Sequence, residues 1–276
     1  MVKRLYRARE RKGYQEIIGT EDPVLDYLSF GKLQLEKGEK YREKTHGYEV
    51  ALVILSGKIS ISSQGKEWRR VGSRNSVFEG KATTIYIPCS SEYDLTAESA
   101  AEVAVCKAKA DKKFEPFIIL PEEVVVNRRG RDTWQREVHD IIVENGRNRV
   151  HRIVVGETFN HPGHWSSFPP HKHDGEHAPE EPDLEEVYHY QLSPRQGFGV
   201  QLHYTKDLCI DDAYIVRHGD SFAIDRGYHP VSAGGGYQLY YLWFLAGKSG
   251  RLLNPFDDPD HRWLKNESKK EMGAFL

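Results

Sequence analysis

Short apolar or alternating runs, each closed within a few residues by Gly, Pro, Ser or Asn, recur along almost the whole chain. Residues 50–55 end at Ser56-Gly57, residues 58–62 at Gln64-Gly65, residues 84–87 at Pro88 and residues 118–120 at Pro121. Residues 124–126 lead into the turn Arg128-Arg129-Gly130, while 101–107, 199–204, 213–217 and 237–245 carry further strand-like runs. Period two bounded by turn residues is the mark of strands, and 3.6-residue periodicity is missing from most of the sequence. The chain reads as all-β. Residues 149–157 are expected as a strand and 160–170 as a loop, residues 134–142 fit either a strand or a helical turn, and the polar tail carries one short helix at 265–272.

Two stretches share a frame. Glu49-Val50-Ala51-Leu52-Val53-Ile54-Leu55-Ser56 matches Glu186-Val187-Tyr188-His189-Tyr190-Gln191-Leu192-Ser193, and Asn75-Ser76-Val77-Phe78 stands downstream of the first as Asp220-Ser221-Phe222-Ala223 stands downstream of the second. Two such matches in order imply a duplicated β unit. The division is placed at residues 1–125 and 126–276.

Bulk properties exclude several classes. Formal net charge is -2, so there is no electrostatic case for nucleic acid or an anionic membrane. Cys89, Cys106 and Cys209 are an odd number without CxxC spacing, which argues against a disulfide framework and for a reducing compartment. The basic start, Met1 to Arg7, leads into no apolar stretch, and neither a signal peptide nor a membrane span is expected. The expected location is the cytoplasm.

The chemistry concentrates in the second half. His171 and His173 alternate after Pro169-Pro170, Glu186 opens a strand-like run, and His229 follows the turn at Gly227. Residues i and i+2 of a strand share a side, so His171 and His173 aim together. Three imidazoles and one carboxylate from separated β segments suit a divalent metal, whether Zn, Mn, Fe or Ni. Glu186 is preferred to its neighbour Glu185 as ligand by its parity with Tyr188 and by the match to Glu49. His177, His189 and His203 are read as exposed, outward-pointing and packed or surface residues respectively; His161 and His164 flank a loop near the site mouth. The first half keeps Glu49 and His46 but has no HxH pair and no later Gly-x-His, so it is expected to hold no metal.

These residues resemble a two-cupin protein whose second cupin carries the HxH, Glu, His ligand set, with a long insertion between HxH and Glu. Asp225 stands where Pro is common in that motif, and one residue separates Gly227 from His229. The sequence is more specifically similar to the 5-deoxy-glucuronate isomerase family of inositol catabolism. That resemblance rests on residues 165–174, on Leu184-Glu185-Glu186-Val187-Tyr188, on Gln196-Gly197-Phe198-Gly199-Val200-Gln201, on Arg226-Gly227-Tyr228-His229-Pro230-Val231 and on Tyr240-Tyr241-Leu242. It implies a bicupin with a degenerate first half, acting as an aldose–ketose isomerase on 5-deoxy-glucuronate to give 5-dehydro-2-deoxy-gluconate. A uronate isomerase of pectin breakdown and an Fe(II) cupin dioxygenase are the competing expectations.

On that reading Tyr188 is a candidate base, Gln201 holds a substrate oxygen, and Tyr241 or Tyr240 serves from the last strand. Lys172 and Arg226, beside ligands in sequence, are candidate anchors for the substrate carboxylate. The implied partner is a small sugar acid, and exposed strand edges make a homo-oligomer plausible.

Overall fold

The computed structural model describes residues 3–7 and 9–265. The alternating runs pair as antiparallel strands in two similar stacks of sheets. In the first, a six-stranded sheet runs in the order Phe117–Ile119, Thr84–Ile87, Tyr48–Ser56, Ala101–Lys109, Leu28–Leu35, Gly13–Ile18. It faces a four-stranded sheet of Lys40–Lys44, Glu92–Ala97, Ile59–Ser63 and Lys66–Val71. In the second, a seven-stranded sheet contains Ser221–Ile224, Leu184–Ser193, Gln238–Gly247, Val154–Asn160, Arg136–Ile142 and Val125–Arg129 in that order. Its four-stranded partner is Trp165–Ser166, Val231–Ala233, Phe198–Tyr204 and Asp211–Arg217. Leu5–Tyr6 crosses back to pair with Phe222 and Ser221 at the edge of the seven-stranded sheet. Among the described residues no helix is long and apolar enough to cross a membrane.

The strand Tyr48–Ser56 explains why its sequence is apolar without interruption. Val50, Leu52 and Ile54 pack toward the small sheet with Ile59, Ile61 and Ile85. Ala51, Val53 and Leu55 join a separate core with Phe30, Val187 and Phe244. That second core lies between the two large sheets, so each large sheet is buried on both faces, and alternation of polarity disappears in its central strands.

The sheet registers correct the sequence alignment. Val50 lies opposite Ile87 and Lys107, as Glu186 lies opposite Ile224 and Leu245. Glu49 therefore corresponds to Glu185, and aliphatic Val50 occupies the place of Glu186. Residues 75–78 form a turn; the strand equivalent to Ser221–Ile224 is Thr84–Ile87.

Glu49 and Glu185 do the same work in opposite directions. Buried Glu49 accepts hydrogen bonds from the backbone N–H groups of His151, Arg152 and Ile153 at 2.6–2.8 Å and from the Tyr86 hydroxyl. Glu185 accepts from the N–H groups of Asp26 and Tyr27 at 2.7 and 2.8 Å. Each carboxylate satisfies donors where the other half's chain enters a strand paired on both sides, Val154–Asn160 for Glu49 and Leu28–Leu35 for Glu185. This is why the strand expected over 149–157 begins only at Val154. Residues 134–142 resolve as the strand Arg136–Ile142. The helix expected at 265–272 lies outside the described residues beyond Lys265.

Candidate metal centre and its cavity

Leu184–Ser193 and the turn before His229 bring the ligands together. His173 lies beside the start of the strand, its carbonyl accepting from Leu184 N–H at 2.8 Å while its Nδ1 meets the Leu184 carbonyl at 2.8 Å. His229 Nδ1 meets the Gly227 carbonyl at 2.9 Å. A carbonyl only accepts, so each Nδ1 carries the proton and each Nε2 keeps its lone pair, the arrangement that orients an imidazole ligand. Gly227 makes this turn possible: its φ is +79°, and a Cβ there would sit 2.7 Å from the Tyr204 carbonyl oxygen.

Both Nε2 atoms point at Glu186 Oε2, 3.2 Å from His173 and 3.3 Å from His229. The His229 Nε2 is buried and has no hydrogen-bond partner. One donor atom from each of these three residues falls within 4.8 Å of the others. His171 stands beside this group rather than inside its tightest set, its ring centre 5.1 Å from that of His229 and 6.5 Å from that of His173. Burial, reinforced by His229 and His173, pushes His171 well below the usual imidazole range and keeps it neutral. Burial would raise Glu186, but the facing His173 and His229 rings, which bring positive charge when no ion lies between them, prevail and hold it at about 2. An ionised carboxylate with imidazole lone pairs converging on it, one of them orphaned, fits a divalent cation.

The centre opens into a cavity of about 200 Å³. Tyr188 and Tyr241 lie in its wall, with Ser167, Thr158 and Trp243. The Tyr188 hydroxyl is 2.7 Å from Ser167 Oγ, and the Tyr241 hydroxyl donates to Ser166 Oγ at 2.9 Å. Tyr240, one residue over, faces the core between the large sheets and donates to Glu157 at 2.8 Å. Burial first, then the charge of Glu186, raises Tyr188 far above the ordinary phenol range. Both effects favour the protonated hydroxyl of Tyr188, which meets Ser167 on the cavity wall.

Three other expected residues are elsewhere. Lys172 is buried, and its ammonium is held by Asp174, by Glu176 at 2.9 Å and by Glu181 at 3.1 Å, which leaves it no capacity for a substrate carboxylate. It anchors the insertion between the HxH pair and Glu186. Arg226 is exposed on an outer groove with Asp174 and Asp225, outside the cavity wall. Gln201 is fully buried with its amide engaged: Oε1 accepts from Tyr190 at 2.7 Å, and Nε2 donates to the carbonyls of Leu202 and His229 at 2.8 Å and of Pro230 at 3.2 Å. It fixes the backbone of His229 and does not face substrate. Gln201→Ala should weaken metal affinity about 10- to 100-fold, as loss of a group supporting a ligand does, measured by competition with a chelator.

The cavity also holds residues that were not singled out from sequence, chiefly Arg136, Arg129 and Asp140. The other histidines stay apart from the metal centre. His189 bonds Ser221 Oγ on the opposite face, His203 meets the Arg226 carbonyl, His164 the Gln135 carbonyl, and exposed His177 stacks on Phe256.

Two similar β units in tandem, with a His/Glu centre in the second, define a bicupin-type protein. The fold is shared with an oxalate decarboxylase of Lactobacillus farciminis solved with formate, at TM-score 0.65 and 11% identity, covering 100% of this chain and 94% of that one. The likeness is much fuller to an IolB-like protein of Salmonella typhimurium LT2, at TM-score 0.90 and 32% identity over 95% of this chain and 99% of that one. The model of the KduI/IolB family matches residues 3–264, and the chain belongs to that family. Among curated relatives, a 5-deoxy-glucuronate isomerase of Geobacillus kaustophilus is 40% identical over 245 residues, 88% of this chain and 87% of that protein. One of Halalkalibacterium halodurans is 34% identical over 267 residues, 96% of this chain and 98% of that protein.

Proposed function

We propose that this chain is a metal-dependent aldose–ketose isomerase that converts 5-deoxy-glucuronate to 5-dehydro-2-deoxy-gluconate in the breakdown of inositol. The observation that carries the reading is the convergence of two backbone-oriented imidazoles on ionised Glu186 at the wall of a cavity lined by both polar and apolar side chains. The relatives that bear the isomerase name align over most of the chain. His173, Glu186 and His229, with His171 alongside, would hold the ion. A divalent cation there supplies Lewis acidity that stabilises negative charge on substrate oxygen as the carbonyl migrates.

The protein's own groups orient the substrate and stabilise charge on its oxygens. The protonated phenol of Tyr188 donates toward an oxygen of the reacting carbons, with Ser167 keeping the hydroxyl oriented. Tyr241, tied to Ser166, adds a second donor on the same wall. Trp243, Leu184 and Leu245 limit water on the apolar side.

The test is an isomerase assay on 5-deoxy-glucuronate and on a pectin-derived uronate, with protein as purified, after chelation, and after return of Zn, Mn, Fe(II) or Ni. Turnover of 5-deoxy-glucuronate that disappears on chelation and returns with one of these ions is expected. Full activity after complete metal removal would overturn the role of the ion. Turnover of the pectin uronate alone would move the substrate, and oxygen consumption would replace isomerisation with dioxygenase chemistry.

A further inference from the structure

Four Arg or Lys side chains among the described residues are buried: Arg4, Arg74, Lys172 and Arg136. Arg4 is paired with Asp225, Arg74 with Glu157, and Lys172 with Asp174, Glu176 and Glu181. Arg136, 9% exposed, forms no ion pair within the described residues. Its Nη1 donates to the Trp134 carbonyl at 3.1 Å, and the guanidinium lies 5.9 Å from the Trp134 ring. A guanidinium offers five donors and cannot shed its charge at working pH. Burying one without an anion is unfavourable, and this one lines the cavity.

A second observation points the same way. Arg129 lies directly opposite Arg136 in the antiparallel pairing of Val125–Arg129 with Arg136–Ile142. Like charges in such a cross-strand position repel. Arg129 is exposed, lines the same cavity, and also has no carboxylate partner among the described residues. The acid on the same face of the strand, Asp140, lies two same-face positions from Arg136, beyond Val138, and accepts from Asn127 Nδ2 at 2.8 Å. Two guanidinium groups side by side in one cavity, neither in an ion pair among the described residues, form a receptor for an anion, and their fork geometry suits a carboxylate.

We propose that Arg136, seconded by Arg129, binds the carboxylate of the substrate and so makes the cavity selective for sugar acids over neutral sugars. The metal centre takes the other, carbonyl end of the same molecule. Arg136 faces the same space as Tyr188 and Tyr241, so the two ends share one cavity. This assignment rests on the isomerase reading for its substrate, but the subsite is testable without turnover.

Calorimetric titration with D-glucuronate and D-glucose, on the metal-loaded wild type and on Arg136→Gln, Arg136→Lys and Arg129→Gln, separates the two. The wild type should bind D-glucuronate and discriminate against D-glucose. Arg136→Gln should lose about 10- to 100-fold in affinity for D-glucuronate, the scale of a charge-assisted hydrogen-bond pair, with a smaller loss for the exposed Arg129→Gln and partial retention in Arg136→Lys. With 5-deoxy-glucuronate the same changes should appear chiefly in KM, while metal content and thermal unfolding stay at the wild-type level. Unchanged D-glucuronate affinity in both Gln variants, or equal binding of D-glucose and D-glucuronate by the wild type, would overturn the subsite. Selective D-glucuronate binding that is lost in Arg136→Gln, in a protein that turns over no 5-deoxy-glucuronate, would support the subsite and refute the isomerase reading alone.

Discussion

Glu186→Gln should strip the ion from the protein and lower kcat/KM for 5-deoxy-glucuronate by about a thousandfold or more, whereas Glu185→Gln, one residue away, should keep both. The amide preserves size but removes the single negative charge among the imidazoles of His171, His173 and His229. That charge faces the Nε2 atoms of His173 and His229 at 3.2 and 3.3 Å. Several kcal/mol of transition-state stabilisation are attributed to a Lewis-acidic ion, and about 4 kcal/mol is roughly a thousandfold in rate. Glu185 projects from the other face of the same strand and accepts from the Asp26 and Tyr27 backbone, so its substitution tests the fold and not the centre. Elemental analysis of the two variants, with far-UV circular dichroism as a control for folding, gives the result. A Glu186→Gln protein that retains a full complement of metal and wild-type turnover would remove the centre from the mechanism.

Strand parity made much of this site readable in the sequence. Period two placed Glu186, Tyr188 and Tyr190 on one face of a strand, and that face is the inner one, while Val187 and His189 turn to the opposite side. The alignment of the halves slipped because Glu185-Glu186 offers two frames one residue apart. The Leu-Ser ending shared by the two runs selected the frame that the hydrogen-bonded register excludes. The role of Arg136 is hidden in the sequence for a physical reason. The inner face of its strand carries Arg136, Val138 and Asp140, and the outer face carries His139 and Ile141 against the interdomain core, so polarity does not alternate as it does in a half-exposed strand. Charged residues that face a ligand cavity look, in sequence, like residues that face solvent. Lys172 shows the converse: its parity pointed it away from the histidines, but only the fold brings Glu181 back to it across the insertion. Gln201 was legible as an inward residue; that its amide is consumed by the backbone around His229 depends on contacts 28 and 29 residues away.

The other large effect should come from the seam between the halves. Arg74→Ala is expected to destabilise the protein by about 3–5 kcal/mol, the cost of leaving one member of a buried ion pair uncompensated. Arg74 comes from the first half and Glu157 from the second, and they are 2% and 0% exposed. Arg74 Nη2 and Nη1 donate to the two Glu157 oxygens at 2.5 and 3.2 Å, and Nε donates to the Ile54 carbonyl at 3.0 Å. The Tyr240 hydroxyl donates to Glu157 as well, at 2.8 Å, so every strong hydrogen-bonding group at this point is committed. Removing the guanidinium strands the carboxylate among Phe78, Phe159 and Tyr240, the aromatic side chains clustered there. Replacing both partners, Arg74→Met with Glu157→Met, deletes the two charges together and should recover much of the loss, because burying an ion pair gains little over burying hydrocarbon of similar volume. Urea unfolding of the wild type, both single variants and the double variant supplies a complete mutant cycle. A double variant no more stable than the sum of the singles would mean that the pair is not coupled, and that the two large sheets are held together by the apolar contacts of Phe30, Val53, Val187 and Phe244 and by the hydrogen bonds of Glu49 and Glu185.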